Sequence, residues 1–106
     1  MSEFLVVYIT ASGENARDLA SALVRENLAA CVNRIPGIES TYTWEGRVEH
    51  DTEDLLIVKT RAALFDRLKE RVRALHAYDV PEIIAMPIVE GSESYLKWMA
   101  EVLSKK

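Results

Sequence analysis

The apolar and polar positions along the chain alternate between strand-like and helix-like periods. Phe4 to Thr10 is a nearly continuous run of aliphatic, β-branched and aromatic residues, the pattern of a strand buried on both faces. Ser12-Gly13 supplies a turn and helix cap. Ala16, Leu19, Ala20, Leu23 and Val24 then recur at the spacing of an amphipathic helix that ends near Asn27. Leu28 to Ile35 reads as a second strand. Beyond Pro36-Gly37, Ile38, Ser40, Tyr42 and Trp44 alternate with Glu39, Thr41 and Thr43. A proline that donates no hydrogen bond beside a conformationally free glycine writes a bulge into a strand, so the second strand is expected to continue to Trp44. Glu45-Gly46 is the turn, and a third strand returns from Arg47 to Lys59.

Thr60 is placed as the cap of a second helix, with Leu64, Phe65, Leu68, Val72 and Leu75 on one face. His76 to Pro81 is the loop that follows. Ile83 to Val89 forms a fourth strand, in which Pro87 marks an edge or an end. Gly91-Ser92 breaks the chain and caps a last helix with an apolar stripe of Tyr95, Trp98, Met99 and Val102. The order β-α-β-β-α-β plus a helix, with short right-handed connections, predicts one α+β domain over residues 1–106: a ferredoxin-like sandwich with two helices on one sheet face. That fold hosts many activities and carries no function by itself.

The central hairpin is too long for the sheet. The first and last strands reach roughly 24 Å, whereas Ala29 to Trp44 extends to roughly 50 Å at about 3.4 Å per residue. About half of the hairpin therefore overhangs, with Tyr42 and Trp44 near its tip. A lone two-stranded ribbon is marginally stable and leaves open edges, so another subunit is the expected cover.

Composition narrows the function classes. The chain is 49% apolar and 28% charged, an ordinary globular mixture, and its formal charge of −4 argues against a nucleic-acid or anionic-membrane surface. Leu55-Leu56-Ile57-Val58-Lys59 lacks the aromatic residues that RNA-recognition sheets use. Cys31 is the only cysteine, which excludes an intrachain disulfide and a CxxC motif and fits a reducing cytoplasm. The N-terminal run has no basic leader and is strand-length, so neither export nor a membrane anchor is expected.

Candidate chemistry is sparse. Cys31 sits among Leu28, Ala30 and Val32, where a cysteine serves as a small buried hydrophobe, or as a thiolate if a cation lies near. His50 and His76 are far apart and prebuild no metal site, and His76 at a helix C-terminus suits a protonated imidazole. Three copies of one residue around an axis can, however, assemble a site that no single chain shows. Lys59, Tyr78 and Glu82 bracket the end of the third strand and the start of the fourth, and are expected either to line one anion-binding pocket or to form an ordinary ion pair. Ser12-Gly13-Glu14 is a poor phosphate cradle because Glu14 repels it. No convergent nucleophile, base and anion cradle is visible, so an enzyme is not expected.

Several segments are specific to one family. Glu26-Asn27-Leu28-Ala29-Ala30-Cys31-Val32-Asn33, Ile35-Pro36-Gly37, Ser40-Thr41-Tyr42-Thr43-Trp44-Glu45-Gly46-Arg47, Leu55 to Thr60, Tyr78 to Ile84 and Tyr95-Leu96-Lys97-Trp98 follow one another in the order seen in the CutA divalent-cation-tolerance family. The chain resembles that family over nearly its whole length. The resemblance implies a cytoplasmic homotrimer of ferredoxin-like subunits, akin in architecture to the trimeric PII signalling proteins, and tolerance and binding of copper, zinc or related divalent ions. By position it makes Cys31 and His76 the candidates for metal contact, and places Trp44, Glu45, Lys59, Tyr78 and Glu82 near subunit boundaries or a ligand cleft. Where some members carry a further cysteine and histidine this chain has Ile9 and Leu75, so soft and imidazole ligands are fewer and binding is expected to be weak. Ala77 stands where the family usually has proline, which loosens the loop before Tyr78. The alternative implied is a PII-like sensor or adaptor that takes a small ligand between subunits and meets a protein partner.

Overall fold

Strand β1 (Phe4–Ala11) lies inside the sheet, as its unbroken apolar run requires, paired antiparallel with β3 (Arg47–Arg61) on one side and β4 (Ile83–Pro87) on the other. Strand β2 (Cys31–Trp44) pairs with β3, giving one antiparallel sheet of order β2-β3-β1-β4. Helix α1 (Gly13–Arg25) and helix α2 (Phe65–Leu75) are the crossovers, and α3 (Glu93–Leu103) follows β4. The computed structural model describes residues 3–104 of this α+β, ferredoxin-like chain.

Period two on the strands and period 3.6 on the helices meet in one core. Val7, Ile9 and Ala11 of β1 and Leu56 and Val58 of β3 face Ala16, Leu19 and Leu23 of α1 and Leu68 and Val72 of α2. Helix α3 instead packs Met99 and Leu103 against Phe4 and Ala30, at one end of the opposite sheet face. Ser92 caps α3 by accepting a bond from the Tyr95 N–H. No helix among the described residues is long and apolar enough to cross a membrane.

At three boundaries the difference from the sequence expectation has a local reason. β2 begins at Cys31 because Asn27 adopts φ 59° and Leu28 and Ala29 turn their N–H groups back to the Leu23 carbonyl, closing α1. Thr60 does not cap α2: it stands in β3 opposite Leu5, and its hydroxyl donates to the Leu28 carbonyl at 2.6 Å. β4 ends at Pro87 on the edge of the sheet, where a residue without an N–H is tolerated, and just beyond it the Ile88 N–H still donates to the Phe4 carbonyl at 3.0 Å.

The hairpin overhangs as its length requires. β1 accompanies β3 only from Asp54 to Arg61, so residues 47–53 pair with β2 alone and form an arm that stretches the molecule to 44 × 25 × 22 Å. Its ladder is interrupted once, where Pro36 and Gly37 together face Asp54, with Gly37 at φ 72°. That extra residue keeps Ile35 and Ile38 on the same sheet face although they are three residues apart. Directly opposed residues share a face, so Ile38, Ser40 and Tyr42 continue the face of Cys31, Asn33 and Ile35 and stand over Glu53, Asp51 and Glu49.

That face, opposite α1 and α2, is largely open. It carries Val6 and Tyr8 of β1, Leu55 and Ile57 of β3, Ile84 and Met86 of β4, and Ile35 of β2. Ile84 is 51% exposed and Ile35 44%, and Tyr95 and Trp98, with rings 5.5 Å apart, stand at the rim.

Candidate functional site

The loop after α2 is held by two side chains. Asn15 of α1 donates from Nδ2 to the Leu75 carbonyl and accepts from the Ala77 N–H, both at 3.1 Å, so it satisfies an orphan carbonyl of α2 and pins the chain two residues on. His76, buried, accepts the Tyr78 N–H at Nδ1 (3.0 Å) and faces the Thr10 carbonyl with Nε2 at 2.7 Å. An N–H can only donate, so Nδ1 carries the lone pair and Nε2 carries the proton that bonds Thr10. The bonding pattern is that of a neutral imidazole, not the protonated one a helix C-terminus favours. Both ring nitrogens are already used. The Tyr78 ring leans on the imidazole at 4.8 Å between centroids.

The loop so placed closes a cleft of about 850 Å³ against the base of the arm. Thr10 and Glu53 lie at the sheet end of it, and Asp51, Tyr42 and Trp44 along the arm. Tyr78, Asp79 and Glu82 form the loop side. The Tyr42 hydroxyl donates to the Asp51 carboxylate; that bond, with burial and the charges of Asp51, Glu49 and Glu53, pushes the Tyr42 phenol up to about 12. Burial, the charge of Glu53 and a hydrogen bond to it raise the Tyr78 phenol as well. Four carboxylates line the cleft, and no Lys, Arg or His does among the described residues.

Cys31 lies elsewhere on the same face, partly exposed, opposite Lys59. Its sulfur is 4.0 Å from Asn33 Oδ1, which also accepts from the Lys59 ammonium. Burial, followed by the Cys31 charge and a hydrogen bond with it, raises the phenol of Tyr95 in α3. Glu45 sits in the arm's turn at φ 50°, and His50 is an exposed arm residue whose Nδ1 lies 3.1 Å from Thr41 Oγ1.

The structure therefore brings Trp44, Tyr78 and Glu82 to one cleft, and leaves Cys31, Glu45 and Lys59 outside it. Cys31 stands level with Val6 through Lys59, whereas His76 bonds Thr10; four residues of strand, about 13 Å, separate those levels. Lys59 does not share a pocket with Tyr78 and Glu82. β3 and β4 are both antiparallel to β1 and hence parallel to each other, so the end of one and the start of the other lie at opposite ends of the sheet. Among the described residues no three His, Cys, Asp or Glu side chains converge as a metal site, so one chain alone does not assemble one. Sequence reasoning missed Thr10, Asp51, Glu53 and Asp79; the only signal for the arm pair was the alternation after the bulge.

Comparison with known proteins covers almost the whole chain. Residues 5–102 match the family described as CutA1 divalent ion tolerance protein. The chain is 55% identical over 96 residues to the protein named "Protein CutA, chloroplastic" of Arabidopsis thaliana, covering 90% of this chain and 53% of that protein. It is 54% identical to the divalent-cation tolerance protein CutA of Thermus thermophilus, covering 93% of this chain and 96% of the relative. The crystal structure of CutA1 from Oryza sativa superposes with a TM-score of 0.92 at 51% identity, over 95% of this chain and 94% of that one. The chain thus spans about half the length of its plant relatives and nearly all of the bacterial one.

Proposed function

The chain belongs to the CutA1 divalent ion tolerance family, and from that premise we propose that it is a non-enzymatic, cytoplasmic homotrimer that binds divalent cations weakly, copper and zinc among them, and serves in tolerance of those ions. The observation that carries the assembly is the open sheet face. Ile35, Ile84 and Met86 expose apolar surface beside Tyr8, Leu55 and Ile57, and an arm of seven β3 residues projects past the sheet with both Tyr42 and Trp44. A patch of that kind is an association surface, and a neighbour would also cover the arm's open edge.

Metal contact follows from the assembly in this reading. Cys31 stands at the rim of the open face with Asn33 and Tyr95, so three copies around an axis would bring three thiols and their carbonyl and phenol neighbours toward one another. His76 contributes only if one of its two ring bonds opens. A PII-like sensor for an anionic ligand gains no support from the cleft, whose walls are acidic and lack Lys59. Isothermal titration with Cu²⁺ and Zn²⁺ against Cys31→Ala and His76→Ala tests the ligands: the expected result is weak binding that falls in Cys31→Ala, and unchanged binding in both variants removes these assignments.

A further inference from the structure

We propose that the Asp54 carboxylate is the positioning group of the arm: it fixes the bend at which the hairpin leaves the sheet, so that the arm meets a second copy of the chain. The inference rests on the assembly reading above and names the residues that aim the arm. Asp54 stands at the branch point. It is the β3 residue at which pairing with β1 stops, opposite Ala11, and beyond it residues 47–53 are held by β2 alone.

Three pieces of the fold converge on that side chain, which is 8% exposed. Arg34, before the bulge, donates to Oδ2 at 2.6 Å, and the Gly37 N–H, inside the bulge, donates to Oδ1 at 3.2 Å. Gly13, the first residue of α1, comes so near that a Cβ there would stand 3.5 Å from Oδ2. The carboxylate thus lies at the positive end of α1, and the charge of Arg17 acts on it from the same helix.

A buried ion pair adds little net stability, because desolvation offsets the attraction. Its effect here is geometric. A bulge bends its strand and increases the local twist. In this one the Gly37 N–H is tied to a side chain that is held in turn by Arg34 and packed against α1, so the bend cannot vary freely. Over seven residues, roughly 24 Å of ribbon, a change of about 20° at the base carries the tip through about 8 Å. Packed contacts with another subunit do not tolerate such a displacement.

Subunit exchange between two dye-labelled pools of the full chain tests this, with the mass of each variant read by sedimentation and its fold by circular dichroism. Deleting Gly37 keeps every cross-strand partner, since Pro36 alone then faces Asp54, but removes the bend. Asp54→Asn keeps an acceptor for the Gly37 N–H and loses the charge that holds Arg34. Val72→Ala, in the core between α2 and the sheet, lowers fold stability and leaves the arm base untouched. The expected result is exchange at least about tenfold faster than wild type in the Gly37 deletion and in Asp54→Asn, and at the wild-type rate in Val72→Ala. Wild-type exchange in either folded arm-base variant overturns the proposal. An equal acceleration in Val72→Ala also overturns it, because the effect would then be one of stability. If the Gly37 deletion does not fold, Asp54→Asn decides. A wild type that sediments as a single chain contradicts the assembly reading itself, a result distinct from variants that stay assembled.

Discussion

The Asp54 carboxylate takes the Arg34 guanidinium at 2.6 Å on one oxygen and the Gly37 N–H at 3.2 Å on the other. One side chain of β3 thus fastens both the strand before the bulge and the bulge itself. The Arg34 bond, helped by the Gly37 N–H and the nearby Arg34 and Arg17 charges, outweighs burial and holds the Asp54 carboxyl below its ordinary value of 3.8. A carboxyl lowered in the folded state stabilises the fold above its unfolded value, and that contribution is lost as pH falls through the folded one. The urea midpoint of the wild type is expected to drop below pH 3.8. Asp54→Asn starts from a lower midpoint at neutral pH and loses this part of the decline.

Asn15 is the link between α1 and the loop that closes the cleft. Asn15→Ala removes two hydrogen bonds and leaves the Leu75 carbonyl and Ala77 N–H to water. The expected cost is about 1–3 kcal/mol in chemical denaturation. Amide exchange should quicken at Ala77 and Tyr78 more than in the sheet; uniform acceleration would mean that the loop is held by something else.

The raised Tyr42 phenol has a spectroscopic signature. Absorbance titration should show one tyrosine ionising near 12, and Asp51→Asn should bring it back toward its ordinary 10.0 by removing the largest cause. No change in that variant would show that the Asp51 bond is not made in solution.

The arm's turn holds Glu45 at φ 50° and Gly46 at φ 80°, the two left-handed positions of a type I′ turn. Glutamate is poorly suited to the first and asparagine well suited. Glu45→Asn is expected to stabilise the protein by about 0.5–1 kcal/mol in thermal or urea unfolding; a loss would place the Glu45 carboxylate in a contact of its own.

The elements were legible in the sequence because they depend on local period and on special residues. The Phe4 run, the alternation from Ile38 to Trp44 and the Pro36-Gly37 bulge are each written in neighbouring positions. The cleft was not legible, because it depends on register. Glu53 and Asp51 read as ordinary surface charges until the bulge places them beneath Ile38 and Ser40, facing Tyr78. Lys59 was grouped with Glu82 because strand ends and starts look adjacent along a chain; with β1 between two parallel strands they are far apart. Thr60 has the residue type of a cap, but a buried carbonyl at Leu28 claims its hydroxyl. His76 shows the same competition: tertiary partners on Thr10 and Tyr78 outweigh the helix end it follows.

The central claim is that the open face is covered by copies of the same chain. Light scattering coupled to size exclusion measures it directly. The expected mass is about 36 kDa, three times the 12.0 kDa chain, with a shift toward the single-chain mass when a charge is placed in the face by Ile84→Glu. A folded wild-type protein that elutes at 12.0 kDa would contradict it.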